Sequence, residues 1–305
     1  MAGLKKGVGF VAVIIAIVLS ASVRHRLAPE ESHCLDVTAA SGESMAYTDS
    51  EGPSIHYEVD AAVRSDVPTV VFIGELGFGA WQWGWQYNAV AGGFETVVYD
   101  HRGCGQSEAP PGPYSMRELV GDLEAVMRDA NIRRAHLVGC GFGGCVALAA
   151  ARRTNRARSL TLIGTPVSSE AFDLSDIRAN PADTAALRAS TTALLSTDFS
   201  AQQPEVVDRI VEWRTREDAS AAAQQAQQAA LDGFDAEPLY ELTLPSLVVT
   251  GGTDSVVDSA ESRQLADGLP RGEFHEFPEA GHLCTVERSA ALNDRLVGFL
   301  ESNSE

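Results

Sequence analysis

The chain of 305 residues is 45% hydrophobic and 21% charged, which fits one large globular domain or two small ones and excludes a disordered or collagen-like chain. Aspartate and glutamate total 42 against 23 lysines and arginines, and the formal net charge of −19 repels a phosphate backbone, so nucleic-acid binding is excluded. Lys5 and Lys6 are the only lysines, and scarce lysine with abundant acid is the composition of a salt-adapted microbial protein, whose self-repelling surface is calmed by screening ions.

In chain order, residues 1–26 come first as a hydrophobic anchor or signal segment. Gly7 to Val23 (GVGFVAVIIAIVLSASV) carry no charge, and Lys5, Lys6, Arg24 and Arg26 flank them. That length is near the minimum for crossing a bilayer, and the basic residues that follow at once favour a retained single-pass anchor, so a membrane location is expected. Positive charge on both sides leaves the orientation open. Two alternatives stand beside this reading: cleavage as a secretory signal, or a start at Met45 that yields a cytoplasmic protein. A polar, acidic linker over residues 27–46 separates this segment from the body, residues 47–305.

The body alternates β-branched runs with helical periodicity, the pattern of a mostly parallel, doubly wound α/β sheet covered on both faces. Strands are predicted at Ser54–Asp60, Thr69–Gly74, Thr96–Asp100, Ala135–Cys140, Ser159–Gly164, Ser246–Thr250 and Glu273–Phe277. Ser115 and Glu118 form a capping box for a helix whose apolar positions run from Met116 to Met127, and Leu292, Leu296 and Leu300 mark the closing helix. Residues 166–238 interrupt the rhythm with Ala, Ser, Gln and acid and no strand. Asn180-Pro181 starts one helix there, Pro204 another, and Ala221–Leu231 is a third, so the stretch is a helical cap over the crevice at the carboxyl ends of the strands.

The five cysteines, at 34, 104, 140, 145 and 284, form no C-x-x-C pair and leave one over in any disulfide scheme. Their spacing is not that of metal ligands, so neither metal nor cofactor is expected.

Three segments carry a resemblance. YDHRGCGQSEAP (Tyr99 to Pro110) is similar to a D-x-R-G-x-G-x-S loop. AHLVGCGFGGCVAL (Ala135 to Leu148) is a strand, a glycine-rich turn and a helix with the outline of G-x-S-x-G. Asp254 in LVVTGGTDSVVD and His282 in FPEAGHLCTVE then follow in order. With these the body, from about Ser54 to Leu300, resembles the alpha/beta-hydrolase family of ester and lactone hydrolases. The resemblance implies a nucleophile at the apex of the turn, with Asp254 orienting His282 as its base.

At the apex stands Gly141, which has no side-chain atom to form a covalent intermediate. The family's His-Gly after the third strand is replaced by Gly74-Glu75. Oxyanion donors are expected from the backbone of Leu76 and Phe142, each typically worth about 3 kcal/mol of barrier, and a carboxylate at Glu75 would oppose the developing negative charge unless it is protonated or turned away; the alternative is that Glu75 pairs with an arginine such as Arg102. Cys140 is expected to point away from the crevice and Cys145 to lie against the sheet, so neither replaces the serine. Trp81, Trp83 and Trp85 fall on one side if the segment is extended, as a pocket wall or a core cover.

The reading that follows is a family member without turnover, which holds a small apolar or ester-like molecule under the cap. The alternative is an enzyme in which the His282-Asp254 dyad acts as general base without a covalent intermediate.

Overall fold

A computed structural model describes residues 43–49, 52–62 and 67–304. Eight strands form one sheet in the order β1-β2-β4-β3-β5-β6-β7-β8. They are β1 (Glu43–Tyr47), β2 (His56–Asp60), β3 (Thr69–Ile73), β4 (Glu95–Tyr99), β5 (Ala135–Cys140), β6 (Ala157–Ile163), β7 (Ser246–Gly251) and β8 (Gly272–Phe277). The pairs β1/β2 and β2/β4 are antiparallel and the rest parallel. The mostly parallel α/β sheet expected from the strand and helix rhythm is the one present.

The central strands are buried at every position of TVVFI (β3) and AHLVGC (β5), which is why they read as unbroken apolar runs instead of alternating ones. One cluster of buried residues packs the face covered by α2 (Met116–Asp129) and α3 (Phe142–Arg153), and a second packs the face covered by α1 (Tyr87–Val90) and α10 (Ser289–Ser302). The helix α2 starts on the capping box: Glu118 N–H donates to the Ser115 hydroxyl and Ser115 N–H to the Glu118 carboxylate.

Between β6 and β7 lie α4 (Thr184–Ala193), α5 (Thr197–Gln202), α6 (Pro204–Glu217) and α7 (Ala221–Gln228). Pro204 opens α6 at its first position. The helix expected at Asn180-Pro181 begins later, because Asn180 Oδ1 accepts from Ala182 N and makes a turn, while Asp183 caps the helix through Ala185 N and Ala186 N. The last predicted helix of this stretch ends at Gln228 and continues as a 3-10 turn over Ala229–Leu231. Beyond it, α8 (Ser259–Gly268) connects β7 to β8, and α9 (Cys284–Glu287) precedes α10.

Three expectations need correction here. The linker expected over residues 27–46 overlaps an edge strand, because Glu43–Tyr47 pairs with β2. Trp81 and Trp83 lie in a 3-10 turn, not an extended segment, so they diverge: Trp83 packs on Phe72 at 4.9 Å under the sheet, whereas Trp81 stacks on Trp213 of α6 at 6.3 Å. Trp85 meets Trp213 edge-on at 5.6 Å.

The single-pass membrane anchor is also withdrawn. Among the described residues no helix is long and apolar enough to cross a membrane, and the run from Gly7 to Val23 on which it rested lies outside the described residues.

Candidate functional site

The order of the sheet reverses between β3 and β5, since the chain leaves β3 for β4 on one side and returns to β5 on the other. Sheets of this kind bind ligands where their connections diverge in this way. Glu75 follows β3 and Gly141 follows β5, so the two meet at that point although 66 residues separate them. Asp254 follows β7, and His282 lies in the loop between β8 and α9.

Gly141 holds φ +46° and ψ −107°, the strained apex of a strand-to-helix turn. Its N–H donates to Ile163 O at 2.8 Å and its carbonyl accepts from Cys145 N at 3.1 Å. The turn can close because Gly143 lets α3 approach β3: a Cβ there would stand 2.1 Å from Ile73 O. The strand, turn and helix are therefore closely packed, with a glycine at the apex.

Glu75 fills the space. A Cβ on Gly141 would lie 1.6 Å from Glu75 Oε2, so this carboxylate occupies the position of any side chain at the apex. Its Oε1 accepts from Leu76 N at 2.6 Å and from Phe142 N at 3.0 Å, the two amides expected as oxyanion donors. Its Oε2 faces His282 Nε2 at 2.9 Å, and His282 Nδ1 lies 2.9 Å from Asp254 Oδ2. Asp254 is fixed in turn by Val256 N and Val257 N, which donate to its Oδ1 at 2.8 and 3.1 Å. One chain of contacts thus runs Asp254, His282, Glu75 and the two amides.

Glu75 and His282 are fully buried. Burial pulls the His282 imidazolium down, but the Asp254 carboxylate beside it, with hydrogen bonds to Asp254, Cys140 and Glu75, raises it well above its ordinary value. The imidazolium then donates one N–H to each carboxylate. In that state His282 has no lone pair with which to take a proton.

The expected alternative, Glu75 paired with Arg102, does not occur. Arg102 donates to Asp122 at 2.6 and 2.8 Å and to Glu118 at 3.2 Å, on the side of α2. Cys140 also differs from expectation: instead of pointing away from the site, its Sγ lies within 4.8 Å of a ring nitrogen of His282 and a carboxylate oxygen of Glu75. Burial raises that thiol and the imidazolium only partly offsets the rise, so Cys140 is not a ready nucleophile. Cys145 is buried in the core, and burial raises it well above the usual thiol range.

Sequence reasoning missed His101. Its Nε2 lies 3.0 Å from Gly74 O, and its ring meets Phe142 edge-on at 5.4 Å, so it fixes the backbone just before Glu75. Burial lowers its pKa to about 4. A histidine next to the D-x-R-G-x-G-x-S arginine was the available signal.

The cap is latched onto the same loop. Gly77 N–H donates to Gln227 Oε1 at 2.8 Å, and Ala219 N–H donates to Gly77 O at 2.8 Å. Trp81 Nε1 donates to Asp218 at 2.9 Å, and the buried Arg214 donates to the other oxygen of Asp218 at 2.7 Å. On the opposite side Glu287 accepts from Gly281 N at 2.8 Å and from Ser196 N at 2.9 Å, tying the His282 loop to the start of α5.

An open surface pocket of about 510 Å³ lies on the cap, lined among others by Phe172, Leu174, Arg178, Asn180 and Gln224. Gln224 separates it from the oxyanion loop, for a Cβ on Gly77 would stand 2.9 Å from Gln224 Cγ.

Comparison with known proteins agrees with this architecture. Residues 68–288 match the family model described as alpha/beta hydrolase fold. A protein named putative carbamate hydrolase RutD from Serratia proteamaculans (strain 568) is 28% identical over 255 residues, covering 81% of this chain and 96% of its own. One of the same name from Variovorax paradoxus (strain S110) is 30% identical over 256 residues, with the same coverage. Among solved structures, the enol-lactonase from Burkholderia xenovorans LB400 superposes with a TM-score of 0.75 at 27% identity, over 84% of this chain and 99% of that one.

Proposed function

This chain belongs to the alpha/beta-hydrolase family, and from that premise we propose that it is a member without acyl-transfer chemistry, a binding protein for a small apolar or ester-like molecule. The observation that carries the reading is the Glu75 carboxylate. It stands at once in the place of the nucleophile and on both oxyanion donors.

Acyl transfer by a serine enzyme needs a nucleophile, a base to deprotonate it and donors for the developing oxyanion. Each is compromised here by the same side chain. No atom is available at Gly141, the donors already hold an anion, and the base is a diprotonated imidazolium between two carboxylates. Loss of the nucleophile alone costs about a millionfold in turnover in a triad protease. The general-base alternative meets the same obstacle, because Nε2 already faces Glu75. The open pocket on the cap, bounded by Gln224, supports the binding part of this reading as a place for a small molecule away from the filled turn.

The test is a screen of p-nitrophenyl esters, lactones and carbamates with the purified chain, together with mass spectrometry of the intact protein for retained small molecules. We expect turnover no faster than that of His282→Gln and a ligand that leaves chemically unchanged. Turnover that disappears in His282→Gln, or an acyl adduct trapped on any side chain, would overturn the reading.

A further inference from the structure

The plug contains a donor set that acyl transfer would not require. We infer that Glu75, Cys140 and His282 form a buried site for a divalent transition-metal ion, with zinc(II) the ion that fits. This goes beyond the proposed function and assigns the site no turnover.

The three side chains come from the ends of β3, β5 and the loop after β8, and a ligand atom from each lies within 4.8 Å of the other two. All three residues are fully buried, so the atoms are held by packing and not by chance on a surface. Imidazole, thiolate and carboxylate together select zinc over magnesium or calcium, which take oxygen ligands. Ligands at about 2.0 to 2.3 Å in a tetrahedral arrangement stand about 3.2 to 3.6 Å apart. The present 2.9 Å between His282 Nε2 and Glu75 Oε2 therefore needs to widen by a few tenths of an ångström, while the pairs with Cys140 Sγ, within 4.8 Å, settle to the same span.

The outer contacts are those of a metal-bound histidine. A ligating imidazole donates its other N–H to a carboxylate that fixes its orientation, and Asp254 holds His282 Nδ1 at 2.9 Å in that way. Glu75 is steadied similarly, its Oε1 accepting from Leu76 N and Phe142 N while Oε2 stays directed at the cluster. Charge balances in the exchange. The proton on His282 Nε2 and the thiol proton of Cys140 leave to solvent as one doubly charged ion enters, so the formal charge of the buried cluster is the same before and after. Gly141 contributes by absence of bulk, since any larger residue would drive Glu75 Oε2 out of the cluster.

The experiment loads the full chain with cobalt(II), both by dialysis and by refolding in its presence, and reads metal content and absorption. We expect about one ion per chain and a near-ultraviolet thiolate-to-cobalt band with tetrahedral visible bands. The band is expected to vanish in Cys140→Ser and to remain in Cys145→Ser. Content below about a tenth of an ion per chain after both loadings, or a band that persists in Cys140→Ser, overturns the inference. Because these readouts do not involve ester turnover, their failure leaves the proposed function standing, and hydrolysis would sink that function without touching the metal result.

Discussion

The carboxyl edge of the sheet has two halves that are held in different ways. At the ends of β7 and β8, Asp254 and His282 share a hydrogen bond, with nearby amides fixing the acid. At the ends of β3 and β5, the turn has a glycine at its apex and the side chain that fills the space comes from a neighbouring loop. The difference teaches that Gly141 and Glu75 have to be read together. A serine at 141 and a glutamate at 75 compete for the same volume, and the glutamate supplies the acceptor that the oxyanion amides and the imidazolium would otherwise lack.

The strongest way to break this comparison is to cut the cap away from the altered half. Asp218 is buried and receives both Arg214 and Trp81, so Asp218→Ala leaves a buried guanidinium without its anion, and a loss of about 3 to 5 kcal/mol is expected in chemical denaturation. A loss below about 1 kcal/mol would show that the cap is not anchored there.

Restoring the serine sharpens the comparison. Gly141→Ser alone meets Glu75 Oε2 at 1.6 Å and strains a positive φ, and should cost about 2 to 4 kcal/mol. Combined with Glu75→Gly the cost should fall by more than about 1 kcal/mol, a non-additivity that a double-mutant cycle measures directly. Additive costs would mean that the two positions are independent.

The smallest effect separates the two halves by pH. Burial lowers His101, on the altered side, to about 4, so its neutral form stabilises the fold above the unfolded value near 6.5 and that contribution is lost as pH falls through about 4. His136, buried beneath the sheet, is lowered to about 4 by the same cause and acts in the same window. His282 is raised, so its contribution is full below about 6.5 and is lost as pH climbs through its folded value. Each limb has a slope of at most about 1.4 kcal/mol per pH unit per group. Urea midpoints from pH 4 to 10 should give a dome whose alkaline limb flattens in His282→Gln and whose acid limb flattens in His101→Gln. An unchanged alkaline limb in His282→Gln would remove the imidazolium from the account.

Much of the fold could be read from residue order, because buried parallel strands such as TVVFI and AHLVGC announce themselves as apolar runs. The edge strand ESMAY did not, since an exposed edge needs no apolar face and its composition merges with the acidic stretch before it. In the site, the position of Gly141 at the apex of the turn was legible from its flanking glycines. The destination of Glu75 was not. Its side chain reaches a segment 66 positions away, and local spacing cannot distinguish that partner from Arg102, which α2 claims through Asp122. Cys140 was misread for a related reason: strand alternation assigns a face, but it does not say that a side chain at the last position meets the loop arriving from β8.

Gly77 is gripped by the cap through both its amide hydrogen and its carbonyl. Lifting the cap from the loop after β3 therefore requires both bonds to break, since neither partner can leave while the other holds. Exchange of the Gly77 and Ala219 amide hydrogens in deuterated solvent reports that local opening.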